Sequence, residues 1–152
     1  MANAARGRTP VYVWIVGALA LIWNGFGCYD YLMTRMRNTD YLAEMMPTVD
    51  PHAVLAWVDA FPVWAQFGWG LGVWGGLIGA ILLLLRSRWA VAVLGLSFVG
   101  ALLGLGYQAL AAPPLAGMED STAAAIMPYV IIGVALALFV YARSMRAKGV
   151  LR

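Results

Sequence analysis

The chain has 152 residues, of which 63% are hydrophobic and 11% are charged, with a mean hydropathy of +0.80 and a net charge of +3 at pH 7. This composition excludes an ordinary water-soluble domain and indicates an all-α, polytopic membrane protein. We expect one domain, residues 1–152, whose connecting segments are too short to hold a core of their own.

Four long apolar runs predict four transmembrane helices. The runs cover Val11 to Met33, Phe61 to Leu85, Trp89 to Ala112 and about Thr122 to Ala142. At about 1.5 Å of rise per residue, each is long enough to cross roughly 30 Å of hydrocarbon. We therefore predict a four-helix transmembrane bundle.

The charged residues sort to opposite ends of these runs. All seven acidic residues lie on one side, and eight of the ten basic residues lie on the other: Arg6, Arg8, Arg86, Arg88, Arg143, Arg146, Lys148 and Arg152. Because Lys and Arg accumulate in cytoplasmic segments, both termini are predicted in the cytoplasm. The basic residues form short clusters at headgroup level, which predicts the lipid bilayer and not nucleic acid as their partner.

The first run resembles a cleavable signal peptide in one respect, because Arg6 and Arg8 precede it. Its apolar length exceeds that of a signal, and no A-x-A site follows it. A lipoprotein signal ending at Cys28 is disfavoured, because Gly25-Phe26-Gly27 lacks the usual aliphatic residue. We expect this single cysteine to pack between helices.

The longest connection, residues 34–60, is predicted on the outer face with a short amphipathic helix. Asp50 is a good N-cap residue, and Pro51 suits the first helical position. Apolar residues then follow helical spacing, so we predict a helix over His52 to Phe61 that lies at the membrane interface.

The second and third runs are joined by only Arg86-Ser87-Arg88, which makes them an antiparallel hairpin. Both carry stripes of small residues, which let helices approach closely in lipid. The helix-packing candidates are Gly68, Gly72, Gly76, Gly100 and Gly104. Packing inside one bundle is the first interpretation, and a homodimer seam of the glycine-zipper kind is the alternative.

The fourth run contains a proline, Pro128, seven residues after its predicted start. Proline removes a helical hydrogen bond and clashes with the preceding turn. Either the helix begins nearer Ile126, or it is kinked at Pro128 and its neighbours satisfy the freed carbonyl.

Polar side chains at membrane depth are costly, so their placement suggests where a ligand would bind. They are concentrated in the outer halves of the runs, whereas the inner halves offer little besides Ser97. This pattern predicts an outward-facing polar pocket above an apolar plug. Its candidate residues are Asn24, Tyr29, Asp30, Tyr31, Gln66, Tyr107, Gln108 and Tyr129.

Asp30 is the one ionisable group inside a predicted span, and Arg35 or Arg37 are its candidate partners. The alternative for the amides is a structural one, in which they form hydrogen bonds between helices. No catalytic or cofactor-binding motif is present, so we expect neither an enzyme nor a cofactor.

Thioethers and an imidazole on the outer face could suit Cu(I), but their spacing follows no metal motif, and we predict no metal site. These residues are Met33, Met36, Met45, Met46, His52 and Met118.

The segment Trp23 to Thr34, continued by Arg37-Asn38 and Tyr41, resembles the first-span signature of a family of small four-span proteobacterial inner-membrane proteins. Trp69 to Gly79, Leu82 to Val91 and the tail from Tyr141 to Arg152 extend the similarity over nearly the whole chain. Family members often bear the automatic label "sugar transporter". The resemblance implies a bacterial inner-membrane location and a transport-related role.

Two functions follow from these observations. The first is a small-solute transporter-like protein, which would have to act as a homo-oligomer because four spans rarely enclose a pathway. The second is a non-catalytic protein that binds a lipid or quinone, or an accessory subunit of a larger membrane complex.

Overall fold

A computed structural model describes residues 10–118 and 121–152 of the chain. These residues form six helices and no strand: α1 (Val11–Arg35), α2 (Thr39–Met45), α3 (Pro51–Asp59), α4 (Val63–Leu84), α5 (Trp89–Leu110) and α6 (Thr122–Ala147). Four of the charged residues on which the predicted topology depends lie outside the described residues: Arg6, Arg8, Glu119 and Asp120.

Four of these helices, α1, α4, α5 and α6, are long and apolar enough to cross a membrane. They have 25, 22, 22 and 26 residues, which corresponds to about 33 to 39 Å of helix. The four predicted spans are therefore confirmed as helices. The largest difference in length is at the end of α6, which continues from the predicted Ala142 to Ala147.

The spans pack in the order α1, α4, α5, α6, and the most extensive contact is between α4 and α5. At the end of the bundle that holds the α4–α5 turn, here called the hairpin end, Val13, Leu83, Leu94 and Met145 bring all four spans into one apolar core. Leu151 of the C-terminal tail joins this core. The hairpin end is therefore closed by apolar side chains.

The opposite end carries a folded segment that we call the cap, residues 36–60, with α2 and α3. Asp50 caps α3 through a 3.0 Å hydrogen bond from the His52 backbone N–H, as its position before Pro51 predicts. Helix α2 was not predicted from the sequence. It begins after Asn38, whose side chain accepts a hydrogen bond from the Tyr41 backbone N–H at 3.0 Å.

The cap has an apolar core of its own, so the expectation that the connecting segments hold no core is wrong. Its buried members are Leu42, Val49, Val54, Leu55 and Leu115, the last from the α5–α6 connection. The Trp57 indole N–H also donates to the Pro113 carbonyl at 2.7 Å. These contacts attach the cap, which follows α1 in the chain, to the connection between α5 and α6.

The fourth span begins at Thr122, and Ser121 caps it through a 3.2 Å hydrogen bond from the Ala124 backbone N–H. A start nearer Ile126 is therefore wrong, and the helix runs through the buried Pro128. Proline has no N–H to offer the carbonyl four residues earlier, that of Ala124.

Candidate functional site

The glycines of α4 and α5 lie where the two backbones are closest. A Cβ built on Gly104 would stand 2.7 Å from the Trp69 backbone nitrogen, and one on Gly72 would stand 2.9 Å from the Ala101 nitrogen. Gly68 and Gly100 lie in the same contact. These approaches leave no room for a side chain, because real Cβ atoms do not come so close to backbone atoms.

Two polar side chains at membrane depth lie at this contact or at the one between α1 and α4. The Ser97 hydroxyl of α5 donates to the Gly72 carbonyl at 2.6 Å. In α1, the Asn24 amide N–H donates to the Ala20 carbonyl at 2.8 Å, and its Oδ1 lies against Gly76 of α4. These side chains are used for helix packing, as polar groups in lipid often are.

The thiol of Cys28 is buried and donates to the Val73 carbonyl of α4 at 3.6 Å. The cysteine thus packs between two helices, as predicted for a small apolar residue. Together with Asn24, it fixes one face of α1 against α4.

The carboxylate of Asp30 accepts a 2.9 Å hydrogen bond from the Tyr41 hydroxyl of α2. The ring of Tyr29 meets the ring of Tyr41 edge to face, with the centroids 5.4 Å apart. Burial, together with the hydrogen bond to Asp30 and its negative charge, raises the pKa of the Tyr41 hydroxyl well above its usual range. The contact therefore attaches the cap to α1 through a protonated phenol.

The expected pairing of Asp30 with Arg35 or Arg37 is wrong. The Arg35 guanidinium donates to the Gln66 side-chain carbonyl at 3.1 Å, whereas Arg37 forms a 2.9 Å ion pair with Asp59. Both arginines lie beyond the carboxylate on the chain and turn toward α3 and α4. Tyr41 was missed as the partner because its distance from Asp30 in the chain does not indicate a contact.

The remaining candidates lie apart from these pairs. Tyr31 meets Trp69 edge to face at 4.7 Å, and Tyr107 meets the rings of Phe61 and Trp64 at 5.1 and 5.4 Å. Gln108 is half-buried, and Tyr129 is 55% exposed.

The eight pocket candidates make no hydrogen bond or ring contact with one another in the part of the chain that the structure describes. Tyr29 and Asp30 share a partner, Tyr41. Gln66 and Tyr107 also share one, because Gln66 donates to the Phe61 carbonyl and Tyr107 meets the Phe61 ring. Ligand binding by the eight stays a prediction.

A depression with about 100 Å³ of space lies at the cap end, between the end of α1 and helix α3. Its lining residues are Thr34, Arg35, Arg37, Leu55, Val58 and Asp59. None of them was a pocket candidate. The sequence did contain a signal for this place in the distribution of its charges. Arg35 and Arg37 are the two of ten basic residues that lie on the same side of the apolar runs as the acidic residues.

The methionines that were predicted on the outer face do not lie together in the structure. Met46 and Met118 pack against the cap core, the Met33 sulfur accepts from the Asn38 amide at 3.7 Å, and Met36 is 71% exposed. Among the described residues, no three His, Cys, Asp or Glu side chains could hold a metal ion together.

No family model matches the chain. Comparison with curated proteins finds no match, and comparison with solved structures finds none either. The resemblance to small four-span inner-membrane proteins therefore stays a prediction, and function has to be inferred from the chemistry of the chain itself.

Proposed function

We propose that this chain is a non-catalytic, multi-pass protein of the bacterial inner membrane that acts by association, as an accessory subunit of a larger membrane complex. The observation that carries the proposal is the use of its polar groups at membrane depth. The side chains of Asn24, Cys28 and Ser97 all donate to backbone carbonyls within the bundle.

A carrier needs polar groups that are free to replace the hydration shell of its solute near the middle of the membrane. Here the donor groups of Asn24, Cys28 and Ser97 are already engaged with backbone carbonyls of the bundle. The hairpin end is filled by apolar side chains from all four spans. A water-filled route through one copy of the chain would have to displace this core.

The proposed orientation places the hairpin end and both termini in the cytoplasm. Six basic residues of the described chain support it because they lie at or near that end: Arg86, Arg88, Arg143, Arg146, Lys148 and Arg152. In a Cys28→Ser background, His52→Cys should react with a membrane-impermeant maleimide in intact cells. Ser87→Cys should react only after the cells are permeabilised. The reverse pattern would contradict the orientation.

A small-solute transporter is the second candidate, and Asp30 is the observation that favours it. A carboxylate near the end of a span, bonded to a phenol of the cap, is a group that a solute or proton could compete for. The family resemblance points the same way. Such a transporter would act as a homo-oligomer.

Reconstituted liposomes separate the two functions. If the protein is an accessory subunit, liposomes that contain wild type or Asp30→Asn should take up sugars and other small solutes no faster than liposomes without protein. Saturable uptake by wild type that is lost in Asp30→Asn would establish transport and refute the proposal.

The accessory role also predicts the size of the native particle. At native expression level, the extracted chain should elute in a particle larger than a monomer or homodimer of 16.4 kDa chains. Co-purification of two differently tagged copies would reveal a homo-oligomer. A lone monomer or a pure homo-oligomer would contradict the accessory role.

A further inference from the structure

Two arginines at the cap end depart from the charge distribution of the rest of the chain. Arg35 is the last residue of α1, and Arg37 follows it by two positions. Both line the depression between α1 and α3. Lys and Arg are enriched in the cytoplasmic segments of a membrane protein, and the proposed orientation places these two arginines on the other side, so they call for a local explanation.

The depression has excess positive charge. Arg37 and Asp59 form an ion pair at 2.9 Å. Arg35 has a neutral partner, the Gln66 side-chain carbonyl at 3.1 Å. Two guanidiniums and one carboxylate leave one positive charge, and Arg35 uses one of its five N–H donors in that bond.

The backbone of Arg37 is in the left-handed region, with φ at 58°. This conformation is unfavourable for a residue with a side chain and persists only where its surroundings hold it. Its backbone N–H donates to the Thr34 carbonyl at 3.0 Å, and its guanidinium is held by Asp59. The turn therefore keeps both guanidiniums on the same side of the end of α1.

The position and size of the depression restrict its ligand. The end of a membrane-spanning helix lies at the level of lipid headgroups. Leu55 and Val58 of α3 supply an apolar wall beside the arginines. The space of about 100 Å³ is well below the roughly 300–1,000 Å³ of pockets for drug-sized ligands. It therefore suits one small anionic group.

We propose that Arg35 and Arg37 form a binding site for a phosphate group at the cap end of the bundle. Guanidinium matches phosphate in geometry and charge, and each N–H···O contact is charge-assisted. The helix dipole is negative at the end of α1, so it stabilises the arginines, and the anion depends on side chains alone. A phospholipid headgroup and a free phosphate ion are the two sources of such a group.

The site is tested with purified protein in a neutral detergent and three probes. These are dihexanoylphosphatidylglycerol, inorganic phosphate, and dihexanoylglycerol, which lacks the phosphate. Binding is followed by tryptophan fluorescence, because Trp57 lies on the same helix as the apolar wall. Binding of the phospholipid alone identifies a headgroup site, and binding of inorganic phosphate with equal affinity identifies a site for the free ion.

Substitutions of the two arginines test whether the probes bind at this site. Arg35→Gln should weaken binding about tenfold or more, because it removes charge-assisted hydrogen bonds. Arg35→Lys keeps the charge and should reduce the affinity less. Arg37→Asn removes the other positive charge, and asparagine is chosen because it tolerates the left-handed backbone at this position. Arg146→Gln is the matched control, since it removes the same charge at the opposite end of the bundle.

Three results would overturn the proposal. These are no binding of either phosphate probe, equal binding of the phosphate-free glycerolipid, and equal weakening by Arg146→Gln and Arg35→Gln. None of these results depends on whether the protein is an accessory subunit, because they concern this depression alone.

Discussion

Asn24 of α1 places its side-chain carbonyl oxygen against Gly76 of α4, where any Cβ on residue 76 would collide with it. The Asn24 amide is held in place by its 2.8 Å hydrogen bond to the Ala20 carbonyl, so it cannot turn aside without losing that bond. The Ser97 hydroxyl also lies within 3.3 Å of that Cβ position. Three spans thus meet at one glycine.

Gly76→Ala should destabilise the protein by about 1–3 kcal/mol, since overpacking forces side chains or backbone to move. Thermal unfolding in detergent measures the change. Gly25→Ala in α1 is the matched control, because its Cβ would meet nothing within 4 Å; it should be neutral or stabilising by up to about 1 kcal/mol. Adding Asn24→Ala to Gly76→Ala should recover part of the loss, and strictly additive effects would show that the two residues do not interact.

Gly100→Ala should destabilise the protein at least as much as Gly76→Ala, because its Cβ would meet backbone atoms of α4 and not a movable side chain. The carbonyl oxygen of Gly68 would be 2.7 Å away. Gly106 in the same helix has open space at its Cβ position. We expect a loss of about 1–3 kcal/mol or more for Gly100→Ala and little change for Gly106→Ala. Similar unfolding temperatures for the two variants would contradict the close approach of α4 and α5.

Tyr41→Phe should weaken the attachment of the cap to α1. The Asp30 carboxylate loses its 2.9 Å donor while the ring contact with Tyr29 is retained. A hydrogen bond to a charged group contributes about 1.5–3 kcal/mol, and partial exposure places this one at the lower end. Protease cleavage within the cap should therefore accelerate. The control variant Tyr129→Phe, which changes an exposed tyrosine, should be cleaved at the wild-type rate.

The same contact predicts that the stability of the folded protein depends on pH in the alkaline range. Burial, with the hydrogen bond to Asp30, raises the pKa of the folded-state Tyr41 hydroxyl above its ordinary value of 10.0. The folded protein therefore keeps a proton that the unfolded chain releases. The contribution to stability is complete below pH 10 and is lost as the pH rises through the folded-state pKa.

The unfolding temperature of wild type should thus fall more steeply above pH 10 than that of Tyr41→Phe. Parallel curves for the two proteins would show that the phenol proton is not linked to folding.

Leu42→Ala should open the cap without unfolding the spans. Leu42 is 2% exposed and belongs to the cap core, which shares no buried residue with the core at the hairpin end. Truncating a buried leucine costs about 2–5 kcal/mol. Faster proteolysis in residues 36–60 with nearly unchanged helix content is the expected result. Leu110→Ala, at an 81% exposed position, is the control. Loss of the spans together with the cap would refute the independence of the two cores.

Some of the fold could be predicted because it depends on local sequence. The span α5 begins at the predicted Trp89, and α3 begins at Pro51 after the predicted Asp50 cap. In contrast, α2 has only seven residues and a single buried side chain, Leu42, so its apolar pattern is too weak to indicate a helix.

The candidate site was predictable only as a set of costly polar residues. Helical spacing placed Asn24 and Cys28 on one face, and both do face α4. Spacing within one helix carries no information about which residue of another helix lies opposite. The partners Gly76 for Asn24, Tyr41 for Asp30 and Gln66 for Arg35 therefore emerged only in three dimensions.

The number, length and approximate ends of the apolar helices were determined by the sequence by itself, since transfer into lipid depends on the hydrophobicity of each run of residues. The tertiary structure alone decided the order in which the helices pack, the second core under the cap and the gathering of Arg35 and Arg37 beside α3. These depend on helix rotation and on contacts between residues far apart in the chain, where close packing selects one arrangement among many that satisfy the same hydrophobic pattern.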